Sequence, residues 1–404
     1  MKIKISLLSL TVIFLFFLLL SVVTCFSPWK GDEIGVAGKL TIALSESGRT
    51  AIGAGEPVFF RHQITLNGPG GKRSSPLLAP GTGSYTFTGL AKGYYVISVE
   101  ARHSSLPSGY SSSVFPPRLD GYMRAYGEEG VQISLLERKP LRISMYPATE
   151  VANWDQFSAA FFNLGTKEFI VLTGDITIDY NVLEIGDALG SGPKKDLTIV
   201  TKGARTIKNL YSSGIFNVIS NNTLNLGSPF TQSDLTISGS GATGPIIEVA
   251  GTLSLHQGVT LSGNIRTGGS DNGGAVYVNG GNFYMTGGTI HDNEAGNNGG
   301  GVYINGGNFY MTGGTISGNT AGYNGGGVYI GINGKFYKTG GIIYGSDGGS
   351  NANITLPGHG AAVYVEKTGT FPTGHPMQGT PIREITVEDT LTGSLNSEDP
   401  VYWN

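Results

Sequence analysis

One glycine-rich phrase is repeated in the second half of the chain. It reads GGAVYVNGGNFYMTGGTIHDN from Gly273 to Asn293 and GGGVYINGGNFYMTGGTISGN from Gly299 to Asn319. Val276 returns as Val302 and again as Val328, 26 residues further on each time. A fixed period in this range is typical of a solenoid, in which each repeat forms one turn of the chain. The repeat therefore constrains the fold more than any other feature.

Each repeat holds three short apolar patches, AVYVN, NFYMT and GTISGN, separated by GG pairs. Each patch is long enough for one β-strand. Three strands and three turns form one coil of a parallel β-helix. Its coils stack at the inter-strand spacing of about 4.8 Å. Glycine suits the corners because it accepts positive φ and close backbone approach.

Stacked coils place like residues on top of one another. We expect the repeated valines to form one interior column and Phe283, Phe309 and Phe336 to form another. A weaker copy upstream places Leu253 and Leu255 in the Phe283 and Met285 positions. The sequence therefore predicts one apolar core running along the axis of the solenoid.

Polar residues also recur within the repeats. Asn264, Asn293 and Asn319 are predicted to form a hydrogen-bonded ladder at one turn, as stacked amides do in other stacked strands. Lys338 takes the inward position of Met311, so either it reaches past a widening end or the last regular coil is distorted there. The stretched segment from Gly345 to Pro357 is predicted to protrude as a loop.

A short amphipathic helix is predicted over residues 153–165, before the array. Trp154, Phe157, Phe161 and Leu164 fall on one helical face, and Asn153 can cap the first turn. Such a helix would cover the open end of the solenoid, where strand edges would otherwise be unpaired.

Short alternating strands fill the preceding region, residues 26–147, which predicts a β-sandwich. The strands are expected in KLTIALS, HQITLNG, YTFTGL, YYVISVEA, VQISLL and LRISMY. The segment GSYTFTGLAKGYYVISVEA, from Gly83 to Ala101, resembles the prealbumin-like sandwiches found beside carboxypeptidases and on bacterial surfaces. The resemblance implies an immunoglobulin-like stalk or spacer.

The N-terminus has the pattern of an export segment. Lys2 and Lys4 precede a 19-residue apolar run, and Cys25, the single cysteine of the chain, follows directly after it. The stretch ending at Cys25 resembles the lipobox of bacterial lipoproteins, which implies cleavage and lipidation at Cys25. A retained membrane anchor and an ordinary signal peptide are the alternatives.

The composition argues against several classes of function. The net charge is −3 and charged residues make up 14% of the chain, so nucleic acid is not an expected partner. In the regular coils the acidic residues are Asp292 and Glu294, which belong to the same coil. We therefore expect no catalytic carboxylate ladder, no metal ion and no cofactor. His291 precedes Asp292, but neighbours on a strand point to opposite faces and the counterpart of His291 one coil on is Ser317, so we expect an exposed polar residue and no acid–base pair. The acidic side chains of the irregular coils are Asp175, Asp179, Glu184 and Asp187.

The repeat motifs resemble a known family. GGAV at Gly273, followed by Ile-x-x-Asn at Ile290 and Ile316, is similar to the G-G-A-[ILV] and F-x-x-N repeats of chlamydial polymorphic outer-membrane proteins. The same units resemble those of spirochaete surface lipoproteins with pectin-lyase-like right-handed β-helices. The resemblance covers about residues 235–371, and it implies surface display and adhesion without implying any catalytic residue.

Tyrosines recur at outward positions and are the candidate ligand contacts, because exposed aromatic side chains are favoured at interfaces. Cross-strand stacking that stabilises the sheet is the equally weighted alternative. The candidates are Tyr277, Tyr284, Tyr303, Tyr310, Tyr329 and Tyr337.

The sequence thus predicts an all-β, lipid-anchored bacterial protein of the outer membrane or cell surface. A β-sandwich would carry a β-helix that binds a glycan or protein of a host or neighbouring cell. A carbohydrate-active enzyme, either lyase or hydrolase, and a purely structural envelope protein are the alternatives. The predicted divisions are 1–25 for export and lipidation, 26–147 for the sandwich, and 148–404 for the β-helix.

Overall fold

The structure is a computed structural model with side chains. Cys25, residues 367–371 of the last predicted repeat, and Asp347 in the predicted loop lie outside the residues that it describes. The described residues are 38–43, 60–79, 82–103, 123–133, 141–187, 192–211, 214–239, 243–346, 348–356 and 359–366.

The fold is all-β, with a β-solenoid of about six turns and one short helix, as the repeat predicts. Among the residues that the structure describes, eight strands precede the helix α1 (Trp154–Phe162). They are β1 (Gly38–Ala43), β2 (Phe60–Gly68), β3 (Gly71–Ser74), β4 (Ser84–Leu90), β5 (Gly93–His103), β6 (Met123–Ile133), β7 (Leu141–Arg142) and β8 (Tyr146–Val151).

The remaining strands form the solenoid. They are β9 (Lys167–Leu172), β10 (Ile176–Ile178), β11 (Leu183–Ile185), β12 (Asp196–Thr201), β13 (Arg205–Asn209), β14 (Phe216–Val218), β15 (Thr223–Leu226), β16 (Leu235–Ser238), β17 (Ile247–Val249), β18 (Thr252–Leu255), β19 (Val259–Ser262), β20 (Ile265–Arg266), β21 (Val276–Met285), β22 (Thr289–His291), β23 (Glu294–Ala295), β24 (Val302–Ser317), β25 (Thr320–Ala321), β26 (Val328–Ile343) and β27 (Val363–Val365).

The solenoid has three faces of parallel strands. The first face stacks β8, β9, β12, β15, β18, the end of β21 and the middle of β24 and β26. The second stacks β10, β13, β16, β19, β22 and the ends of β24 and β26. The third stacks β11, β14, β17, the beginnings of β21, β24 and β26, and then β27. Three short strands, β20, β23 and β25, form a small separate sheet.

The predicted interior columns are confirmed. Val276, Val302 and Val328 pair in register and are fully buried. The ring of Phe309 stacks on Phe283 at 4.6 Å and on Phe336 at 4.8 Å between centroids. The upstream copy is also in the predicted register, because Leu253 pairs with Phe283 and Leu255 with Met285.

The asparagine ladder is confirmed and is longer than predicted. The side-chain oxygen of Asn293 accepts from the backbone N–H of Asn264 at 3.1 Å, and Asn319 repeats this contact with Asn293. Asn353 is a fourth member, since its oxygen accepts from the backbone N–H of Asn319 at 2.9 Å. All four side chains are buried.

The prediction that Gly345 to Pro357 protrudes is therefore wrong in part. Asn353 is fully buried in the ladder, and Ile354 forms a parallel bridge with Thr320. The extra residues wind through a short 3-10 turn at Gly349–Asn351 before the chain rejoins the stack.

Lys338 lies in the interior and pairs with Met311. The register shifts by one residue directly after this pair, because Thr312 pairs with Gly340. The distortion of this coil is the alternative that the structure supports.

Glycine allows successive coils to approach closely at the corners. Gly307 has φ +86°, and a Cβ atom there would lie 2.1 Å from the carbonyl oxygen of Gly281 in the preceding coil. A side chain at this position would therefore force the two coils apart.

Helix α1 covers the first coil as predicted. Asn153 caps it, because its side-chain oxygen accepts from the backbone N–H of Gln156 at 3.0 Å. Phe157 and Phe161 are buried against the solenoid core, where Phe161 contacts Phe216. The helix ends at Phe162, a little earlier than residue 165.

The N-terminal strands form two sheets over a shared core. One sheet has the order β4-β1-β7, and the other pairs β3 with β2, β2 with β5, β5 with β6, and β6 with β8. Ile42, Ile64 and Ile97 are fully buried between them. The sequence did not predict β3 or the beginning of β6, and LRISMY is a strand at its first two residues and again at Tyr146, where β8 begins.

The two parts of the chain are joined through β8. It pairs antiparallel with β6 and parallel with β9, so it belongs to both sheets. The Glu150 carboxylate beside this junction accepts from Arg102 at 2.9 Å and from Lys202 at 2.8 Å. Burial acts to raise the pKa of Glu150, but these hydrogen bonds outweigh it and lower that pKa.

Candidate functional site

The predicted tyrosine positions form two aligned rows. On the third face, the ring of Tyr303 stacks on Tyr277 at 5.1 Å and on Tyr329 at 4.8 Å, with ring planes within 4° of parallel. Tyr364 extends this row by one coil at 5.4 Å. The regular register of the third face places each tyrosine directly over the last.

The second row lies on the first face. The ring of Tyr310 stacks on Tyr284 at 4.9 Å and on Tyr337 at 4.8 Å. Tyr284 is the most open member of either row, with 38% of its surface exposed. The structure thus brings all six candidate residues into rows, in two groups on different faces.

Stacking determines which part of each tyrosine ring is accessible to a binding partner. Inside a row both faces of a ring are covered by its neighbours, so the row presents ring edges and hydroxyl groups. Burial raises the pKa of the Tyr303 and Tyr310 hydroxyls, which therefore stay protonated near neutral pH and can donate hydrogen bonds. The stacking alternative accounts for the order of the rings, and their role as contacts stays a prediction.

The tyrosines of the two rows differ individually in their exposure to solvent. Tyr329 is buried and donates its hydroxyl to the Glu366 carboxylate. Burial first, and then this hydrogen bond, raise the pKa of Tyr329. Tyr303 and Tyr310 remain half-exposed, and they are the members best placed to test for binding.

Two acidic side chains of the irregular coils, and Asp271 further along the chain, have structural partners. Asp175 accepts from the backbone N–H of Thr206 at 2.9 Å, and Asp179 accepts from the Tyr211 hydroxyl at 2.9 Å. Asp271 holds Arg266 in an ion pair at 3.0 Å. Within the described ranges, no group of three or more His, Cys, Asp or Glu side chains is arranged to hold a metal ion.

His291 and Asp292 correct one expectation. Neighbours on a strand point to opposite faces, so the pair was expected to lie apart, yet His291 Nδ1 lies 2.7 Å from Asp292 Oδ2. Asp292 follows the end of β22 and has φ +54°, which turns its carboxylate back toward the imidazole. The neighbouring coil has Ser317 in register with His291, as predicted, so the pair is isolated.

A cavity that the sequence did not predict lies at the junction of the N-terminal strands and the first face. Its volume is about 460 Å³. Its lining residues come from distant segments, so no local motif could reveal it. They include Glu128, Glu129, Tyr146, Lys167, Phe169, Thr198, Asn225, Phe230, Ser254 and His256.

No family model matches this chain. Searches of curated proteins and of solved structures also find no match. None of the helices in the described part of the chain is long and apolar enough to cross a membrane.

Proposed function

We propose that the chain is an exported lipoprotein, anchored through Cys25, that displays its solenoid at the cell surface as a non-catalytic adhesion surface. The observation that carries this proposal is the pair of tyrosine rows, which repeat at the coil spacing on two faces of a regular scaffold. The motif resemblance to chlamydial and spirochaete surface proteins adds support for surface display.

The row geometry favours a protein partner over a polysaccharide for this surface. A sugar ring packs its apolar side on an open aromatic face, and inside the rows those faces are covered. Tyrosine edges and hydroxyls suit protein interfaces, where one rigid side chain supplies apolar contact and a hydrogen bond together. The rows thus provide aligned donors on a scaffold that needs no ordering upon binding.

Replacing Tyr303 and Tyr310 by serine tests the contact surface. Cells producing the full chain are applied to surfaces coated with fibronectin or laminin, and bound cells are counted. We expect retention on at least one protein coat and a loss of roughly tenfold in the double variant, which corresponds to about 1.4 kcal/mol. Thermal unfolding of the purified variants checks that the solenoid remains folded.

The matched control replaces two exposed tyrosines outside the rows, Tyr323 and Tyr211, by serine. This control should adhere like the wild type. Equal adhesion of the row variant and the wild type would contradict the proposal, as would no retention on any coat. Cys25→Ser should abolish incorporation of radiolabelled fatty acid into the chain, and unchanged labelling would contradict anchoring through Cys25.

A further inference from the structure

The cavity at the junction lies on the same outward column as the first-face tyrosine row. Thr198, Asn225 and Ser254 pair in successive coils, and Ser254 pairs next with Tyr284. At the other end of the column Thr198 pairs with Phe169. Three small polar side chains thus interrupt a column of aromatic rings, and the cavity occupies this interruption.

Aromatic surface bounds the cavity floor. Tyr284 stacks with Tyr310 on one side, so its other face is directed along the column toward Ser254. Phe169, Tyr146 and Phe230 line the cavity itself. Four coil steps separate Phe169 from Tyr284, a span of about 19 Å at the usual strand spacing. The lining residues of this column run from Phe169 to Ser254, and Tyr284 lies one coil beyond them.

The N-terminal strands supply a fixed wall. The Glu128 carboxylate on β6 accepts from the hydroxyls of Tyr126 and Ser228, and from Thr231 at 2.7 Å. These bonds hold the loop that follows β15 against β6. Burial first, and then Glu128, raise the pKa of Tyr126 well above its usual value, so its hydroxyl remains a donor. These hydrogen bonds hold the wall in place in the absence of a ligand.

The remaining polar groups of the cavity are mainly acceptors. Asn225 uses its side-chain N–H group on Asp196 at 2.9 Å and on Thr198 at 3.2 Å, which leaves its carbonyl oxygen for a ligand. Glu129 also belongs to the lining, and its side chain makes no hydrogen bond or ion pair with the described residues.

His256 is assigned as a third acceptor. Its Nδ1 lies 2.8 Å from the Thr286 hydroxyl, and that hydroxyl donates to the Leu255 carbonyl at 3.4 Å. We assign the tautomer with the proton on Nδ1 from this pair of contacts, which leaves a lone pair on Nε2. Burial lowers the pKa of His256, which keeps the imidazole neutral at physiological pH.

The charges of the lining disfavour an acidic ligand. Lys167, the basic residue of the lining, already lies over the Tyr146 ring at 4.1 Å and 3.8 Å from Asp196. Glu128 and Glu129 would repel a carboxylate. A ligand that fits must supply hydrogen-bond donors, carry no negative charge, and present an apolar side to aromatic rings.

We propose that this cavity binds a short neutral saccharide. Hydroxyl groups of the sugar donate to Asn225, His256 and Glu129, and its apolar side packs on the aromatic rings. The volume of about 460 Å³ lies within the range of small-ligand pockets. This site is separate from the proposed adhesion surface and takes a different class of ligand.

Calorimetric titration of the purified full chain tests the proposal. The lipid-anchored chain is kept in solution with a polyoxyethylene ether detergent. A maltoside detergent is avoided because its sugar headgroup could itself bind in the cavity. The probes are the tetrasaccharides of cellulose, mannan, xylan and β-1,4-galactan, with tetragalacturonate as the acidic comparison. We expect at least one neutral probe to bind and tetragalacturonate to bind at least tenfold more weakly.

Ser254→Tyr places a tyrosine ring inside the cavity and extends the first-face tyrosine row by one coil. Tyrosine already occupies the equivalent position in the next coils of this column, at Tyr284 and Tyr310. We expect this substitution to weaken binding of the neutral probe at least tenfold. Ser262→Tyr makes the same change on the second face of the same coil and should leave the affinity unchanged. Glu129→Gln keeps the shape and should weaken binding several-fold.

Three results would overturn the proposal. These are no binding of any neutral probe, tight binding of tetragalacturonate alone, or unchanged affinity in both Ser254→Tyr and Glu129→Gln. The adhesion proposal can fail separately, because Ser254→Tyr should adhere to protein-coated surfaces like the wild type.

Discussion

Replacing Asn319 by alanine is expected to lower the free energy of unfolding by roughly 3–5 kcal/mol. The Asn319 amide donates to the carbonyl of Ile290 and to the side-chain oxygen of Asn353, both at 3.0 Å. Its oxygen accepts from Asn293 at 3.1 Å from the backbone and 3.0 Å from the side chain. Alanine would leave several buried polar groups without partners.

Urea unfolding of the full chain measures this effect, with Asn305→Ala as the matched control. Asn305 is exposed and makes one long contact, to Asn279 at 3.4 Å, so its loss should change stability by about 0.5 kcal/mol or less. Equal stability of the two variants would contradict the view that the buried ladder holds the coils in register.

Replacing Phe309 by alanine is expected to cost a similar amount, roughly 3–5 kcal/mol. Phe309 is fully buried between two stacked rings, so alanine leaves a cavity that the neighbouring coils cannot close. The same urea unfolding series measures the loss.

Leucine at position 309 is the informative comparison. Leu253 already fills this column two coils earlier, so Phe309→Leu should recover most of the stability lost in Phe309→Ala. A cost below about 1 kcal/mol for alanine would show that the phenylalanine column does not support the core.

Periodic features were predictable because each coil meets the same surroundings as the next. The register of Val276 with Val302, and the start of the ladder at Asn264, follow from spacing alone. The helix α1 was predictable because its cap and apolar face are local.

Features that depend on non-repeating contacts could not be predicted. Asn353 was missed because the insertion before it breaks the period, although the chain still returns to the ladder. At the junction, β8 pairs with β6 of the N-terminal strands and with β9 of the solenoid. No spacing in the sequence predicts these two pairings. The cavity was missed for the same reason, since Glu128 and Ser254 are distant in sequence. The opposite orientations expected for His291 and Asp292 failed because the strand ends between them.

The central claim is that the chain binds at the cell surface without turning over a substrate. The most direct test incubates the purified full chain with neutral and acidic polysaccharides, with and without calcium. New reducing ends and the ultraviolet absorbance of unsaturated sugars are followed over time. We expect no products above the chain-free control. Product formation that increases with chain concentration would contradict the claim and direct attention to Asp175 and Asp179 in the irregular coils.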